Sequence, residues 1–180
     1  GVDAHTHDFV KTGQIDSKFG FAIETGEAFE AVKAAISMSN INLRCLHCHI
    51  GSQIFEPEPF RDAAVLMLEF AAQIQKDHGY SPAYLNLGGG MGVPYTKNDP
   101  SIDYAANIRS IGELINSTCA RLELIPPAIL MEPGRSIVAD AGITLYTVES
   151  TKQIPGFKNY VAIDGGMTNN PPYTLYHASH

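Results

Sequence analysis

No run of apolar residues in this 180-residue sequence approaches the length needed to span a bilayer. No basic-then-apolar leader opens it, so no secretory signal is expected. Positive charge is scarce: 12 Lys and Arg stand against 19 Asp and Glu, a net charge of -7. That balance argues against nonspecific nucleic-acid binding and against anchoring on an anionic membrane. Cysteine is scarce too. Three of them, Cys45, Cys48 and Cys119, are an odd number, which argues against a disulfide framework and for a reducing, cytoplasmic compartment. Cys45 and Cys48 form a C-x-x-C inside a strand-like run. Three residues apart on a strand they point to opposite faces, which speaks against a shared metal or a redox pair.

What the sequence does hold is an apolar run that stops at three consecutive glycines: Leu85 to Leu87, then Gly88, Gly89 and Gly90. Glycine permits positive φ and lets a ligand approach the backbone, so successive N–H groups can converge on an anion such as a phosphate. The plain alternative is a tight turn in which small residues relieve crowding.

Around this stretch the chain alternates strand, loop and helix. A helix is expected after Thr25–Gly26, with Phe29, Val32 and Ile36 at spacings of three and four. A strand is expected over 43–50. A second helix should run from Pro57–Pro59 to about Asp77, with Phe60, Ala64, Met67, Leu68, Ala71 and Ile74 buried. A third helix is expected over about 102–119, with Ile108, Ile111 and Ile115 on one face, and a strand over 128–131. Such alternation means parallel strands with crossover helices, in a (β/α)₈ barrel or a doubly wound sheet. Beyond Gly142 the rhythm changes. Strands over 143–148 and 160–163, joined by a turn at 153–159, read as an antiparallel pair opening a second, all-β region.

In parallel α/β sheets, ligand groups gather at the carboxyl ends of strands. His49 and then Gly51–Ser52 stand after one strand, the glycine triplet after the next, and Glu132, Gly134 and Arg135 after a third. The glycines, the Ser52 hydroxyl and the Arg135 guanidinium suit a phosphate. Glu132 suits a cationic ring nitrogen, and His49 offers a flat face for stacking. One guest satisfies all of these: pyridoxal phosphate. Taken singly, Glu132 and Arg135 read equally well as an ion pair, and His49 as a core histidine. A rival reading starts from Asp3, His5 and His7, a D-x-H-x-H like the zinc site of amidohydrolase barrels, with His47 and His49 on a shared face. It leaves the glycine triplet and E-P-G-R unexplained, so no metal site is assigned.

The segments G-V-D-A-H-T-H at the start, D-S-K-F-G (16–20), H-I-G-S-Q (49–53), L-G-G-G-M-G (87–92), E-P-G-R (132–135) and D-G-G-M-T (164–168) resemble diaminopimelate decarboxylase, in that family's order and spacing. The resemblance covers essentially the whole chain. It implies the second half of a TIM-like (β/α)₈ barrel of the alanine-racemase type, residues 1–142, followed by the first strands of a β domain, residues 143–180. It also implies pyridoxal 5'-phosphate as cofactor, decarboxylation of meso-diaminopimelate to L-lysine, and a homodimer with shared active sites.

By motif, His49 would stack on the ring, Gly88, Gly89, Gly90 and Ser52 would bind the phosphate, and Glu132 would pair with the ring nitrogen. Gly134 and Arg135 would line the phosphate site, and Arg135 with Tyr176 would reach substrate. Pro172 stands where the family carries a substrate-binding arginine. A charge-assisted hydrogen bond worth roughly 1.5–3 kcal/mol is therefore missing, which bears on substrate affinity or identity. The family's Schiff-base lysine and its interface cysteine stand in segments not found in this sequence. The chain is thus expected to be an internal piece of a longer enzyme, inactive alone. Related ornithine, arginine or carboxynorspermidine decarboxylases, or a non-catalytic pyridoxal-phosphate-binding homologue, are the alternatives.

Overall fold

The computed structural model describes residues 19–169. In chain order its elements are α1 (Glu27–Ser37), β1 (Cys45–His47), α2 (Glu58–His78), β2 (Tyr84–Asn86), α3 (Tyr104–Arg121), β3 (Ala128–Leu130), α4 (Arg135–Val138), β4 (Val148–Ile154) and β5 (Lys158–Ile163).

The helices begin and end where side-chain chemistry dictates. Gly26, at a φ of 83°, opens α1, and Pro59 sits in the first turn of α2, where its missing N–H costs nothing. Gly79, at a φ of 65°, closes α2 with its N–H on the Gln75 carbonyl. The Asp103 carboxylate accepts from the Ala106 N–H and caps α3. All six residues expected on the inner stripe of α2 are buried, as are Ile111 and Ile115 of α3. Ile108 is not: it is 49% exposed. It lies in the early turns of α3, where the two helices meet through the Arg61 guanidinium on the carbonyl and hydroxyl of Ser110. Thr118 and Cys119 complete the buried face instead.

Strands β1, β2 and β3 pair in parallel in the order β1-β2-β3. Leu46 and Leu85, side by side in register, join the core made with α2 and α3. Successive neighbours in sequence order, with α2 and α3 packed on one another over one face, are barrel geometry. A doubly wound sheet reverses its order and carries helices on both faces. The strands are shorter than the sequence suggests, three residues each, because the backbone leaves the ladder as soon as the strand-end loops begin.

The antiparallel pair exists, but displaced. Of the expected first strand only Val148 lies in β4, and the turn contracts to the residues around Gly156, at a φ of 78°. The run V-E-S-T-K-Q-I lacks strand patterning because both its faces are exposed. The ladder to β5, in register from Ser150↔Ala162 to Ile154↔Lys158, holds it. No helix among the described residues is long and apolar enough to cross a membrane.

Candidate functional site

The carboxyl ends of β1, β2 and β3 converge, and the glycine triplet is what lets them. A Cβ on Gly88 would lie 2.6 Å from the Cys48 carbonyl oxygen and 2.9 Å from Nδ1 of His49. On Gly89 it would lie 2.2 Å from the Glu132 carbonyl oxygen, and on Gly90 2.0 Å from that of Gly51. Gly88 and Gly90 also have positive φ, 71° and 103°. Crowding between neighbouring strand ends thus requires these glycines. The same crowding sets the loops after all three strands around one opening. The N–H groups of Gly89 and Gly90 find no acceptor among the described residues.

Glu132 follows β3 by two residues. Its backbone N–H donates to the Gly88 carbonyl at 2.8 Å. Its side chain is held on both sides: Nδ2 of Asn86 donates to Oε1 at 2.9 Å, and Nε2 of His47 stands 3.4 Å from Oε2. His47, Asn86 and Leu130 are partners in register. Side chains two residues apart on a strand share a face, so residue 132 comes up beside those of 47 and 86. Neither Asn86 nor the His47 contact was legible as part of the site. The only signal was a lone amide in an apolar run, at the parity of Glu132.

Arg135 opens α4. Nη2 donates to the Ser52 hydroxyl at 3.2 Å and Nη1 to the Tyr95 hydroxyl at 2.7 Å, with the guanidinium over the Tyr95 ring at 5.8 Å. Tyr95 is presented by a built turn, its N–H and that of Thr96 both donating to Oδ2 of Asp99. Glu132 and Arg135 form no ion pair with each other among the described residues; each has its own partners. A carboxylate and a guanidinium left at separate stations suit a ligand with charge of both signs.

His49 is half-buried. Burial, and after it the nearby His47, push its imidazolium below the ordinary histidine range, while Glu132 pulls the other way. The ring is therefore neutral at pH 7 and free of charge repulsion against a cationic aromatic. Because the folded pKa lies below the unfolded value of about 6.5, the unfolded chain takes the proton first. This contribution to stability is present above about pH 6.5 and is lost as pH falls toward the folded pKa. Titration followed by NMR of labelled imidazole should place the His49 pKa below about 6.5. A pKa at or above about 6.5 contradicts the assignment. Burial likewise drives the Cys48 thiol up to about 11, leaving it unionised and unreactive.

His47, His49, Ser52, Gly89, Gly90, Glu132, Gly134 and Arg135 line one cavity of about 1140 Å³. Roughly 300–1,000 Å³ suffices for most small molecules. Gly88 lies beneath this lining, joined to Glu132 and against His49. Above Gly134 the space is open: a Cβ there would meet nothing within 4 Å. Two unpaired amides, a hydroxyl and a guanidinium at one station, a carboxylate at another and a neutral flat imidazole between elements fit pyridoxal phosphate. Tyr176 and Pro172 lie outside the described residues, as do Asp3, His5 and His7. Among the described residues no cluster of histidine, cysteine or carboxylate is set to hold a metal ion.

Residues 1–139 match the family model of the pyridoxal-dependent decarboxylase, pyridoxal binding domain. The whole chain is 44% identical to a diaminopimelate decarboxylase of Halalkalibacterium halodurans and 42% identical to one of Bacillus subtilis, covering 41% of each. The chain therefore spans about two fifths of the length of these curated relatives. Among solved structures, diaminopimelate decarboxylase from Helicobacter pylori, complexed with L-lysine, superposes with a TM-score of 0.84 at 31% identity over 99% of this chain and 42% of that one. The described architecture is accordingly part of an alanine-racemase-type barrel followed by the first strands of a sheet.

Proposed function

That the chain belongs to the pyridoxal-dependent decarboxylases is the premise from which we propose that the full-length protein converts meso-diaminopimelate to L-lysine. The observation that carries this reading is the single cavity with Glu132 at one station and Ser52, Gly89, Gly90 and Arg135 at another. The names of the 41–44% identical relatives support the substrate, and the L-lysine in the Helicobacter pylori structure is the product that this reaction would release.

The bound coenzyme supplies an electron-withdrawing ring that takes up the pair left when the carbon–carboxylate bond breaks. The chain's own residues do the rest. Gly89, Gly90, Ser52 and Gly134 would hold the phosphate through backbone amides and a hydroxyl; Gly88, expected to join them, has its N–H committed to Oδ1 of Asn86 and lies beneath the lining. Glu132 keeps the ring nitrogen protonated, so that withdrawal is strongest. His49, which lines the cavity, would stack on the ring and keep water from that face. Arg135, aimed by Tyr95, serves the phosphate site and reaches toward a substrate carboxylate, with Tyr176 as a further substrate contact. Residues 1–142 belong to the barrel and 143–180 to the start of the β domain. The reading extends to a cytoplasmic homodimer with shared sites.

Among the described residues no lysine lines the cavity. We therefore expect the 180-residue chain alone to release no carbon dioxide from meso-diaminopimelate, while the full-length protein does. Measured release from the 180-residue chain above a protein-free control overturns this expectation. The substrate is tested on the full-length protein against meso-diaminopimelate, ornithine, arginine and carboxynorspermidine. A higher kcat/KM on any of the last three overturns the assignment.

A further inference from the structure

Asn86 ends β2 with both halves of its amide committed. Oδ1 accepts from the Gly88 N–H at 2.9 Å, an Asx turn that sets the first glycine. Nδ2 donates to Oε1 of Glu132 at 2.9 Å. One side chain thus ties the anion-binding glycines to the carboxylate assigned to the ring nitrogen. Among the described residues no other amide or hydroxyl donates to the Glu132 side chain; its second oxygen faces His47. A glutamate has three side-chain torsions, and the half-exposed carboxylate of Glu132 would otherwise sample them.

We infer that Asn86 is a positioning residue for the cofactor's ring nitrogen, acting through Glu132. The inference rests on the cofactor reading above. By donating to Oε1, Asn86 turns the carboxylate plane and leaves Oε2 as the acceptor for a cationic N–H. By holding Gly88 with its other end, it fixes the distance between that acceptor and the phosphate amides. A ligand charged at both ends then meets both stations without rearranging either.

The test uses the full-length protein loaded with pyridoxal phosphate carrying ¹⁵N in its ring. Asn86→Ser keeps a hydroxyl able to accept from the Gly88 N–H but cannot reach Glu132. We expect roughly tenfold weaker cofactor binding and a ring-nitrogen resonance moved toward unprotonated pyridine. The decisive arm is a double-mutant cycle with Glu132→Gln. If Asn86 acts through Glu132, the serine substitution changes little in the glutamine background. An equal effect in both backgrounds, or an unmoved ¹⁵N resonance in Asn86→Ser, overturns the inference. Should Asn86→Ser not fold, Asn86→Asp, which keeps the Gly88 acceptor and replaces only the donor, enters the same cycle under the same criteria. The cofactor reading fails separately: the unsubstituted protein does not bind pyridoxal phosphate, or Glu132→Gln leaves the ¹⁵N resonance where it was.

Discussion

Glu132→Gln in the full-length protein is expected to lower turnover by roughly 10²–10³-fold, with stability changed by no more than about 0.5 kcal/mol. The side chain is half-exposed at the cavity, so the fold does not depend on its charge. Glutamine is nearly isosteric and still offers an oxygen to Nδ2 of Asn86. Its other terminus, however, becomes an NH₂ where the carboxylate presents Oε2. Two N–H groups facing a cationic ring N–H repel it and supply no counter-charge. Without that counter-charge a bound coenzyme would keep its ring nitrogen unprotonated and would be the weaker electron acceptor. The interaction lost matters most when negative charge develops on the ring, so kcat and kcat/KM should fall together. Turnover within about threefold of the unsubstituted enzyme would remove Glu132 from the chemistry.

The main elements were legible because their signals are local. The inner stripe of α2 is a repeat of period 3.6 with a proline before it and a glycine after it, and all six stripe positions are buried. The strand-end residues were legible because a parallel sheet delivers its loops to one edge. The first strand of the hairpin was placed too early, over 143–148 instead of Val148–Ile154, because β4 is exposed on both faces, and strand patterning needs a core to write it. Ile108 was misread because helical spacing gives a face but not how far along the axis the neighbouring helix packs apolar surface. Asn86 and Tyr95 escaped for a different reason. Their roles depend on the register of β1, β2 and β3 and on the Asp99 turn, contacts between residues about 40 positions apart that no local pattern records.

Gly90→Ala is expected to destabilise the chain by on the order of 2–6 kcal/mol, the sum of backbone strain and overpacking. Its φ of 103° is a conformation L side chains rarely adopt, and the new Cβ would stand 2.0 Å from the Gly51 carbonyl oxygen. That oxygen is backbone, so nothing flexible can yield. Relief means pulling the β1 and β2 ends apart, which also breaks the Ile54 N–H to Gly90 carbonyl bond of 3.0 Å and the short parallel bridge it belongs to. Gly134→Ala is the contrasting experiment. Its φ of -85° suits any residue, and a Cβ would meet nothing within 4 Å. Denaturant midpoints should therefore stay unchanged in Gly134→Ala and fall sharply in Gly90→Ala. Cofactor affinity should fall in both, because the methyl at 134 occupies space that a phosphate needs. A Gly134→Ala protein that binds pyridoxal phosphate as tightly as the unsubstituted one would mean that the open space above residue 134 is not where the phosphate sits. The glycines of the triplet would then report only the packing of three strand ends.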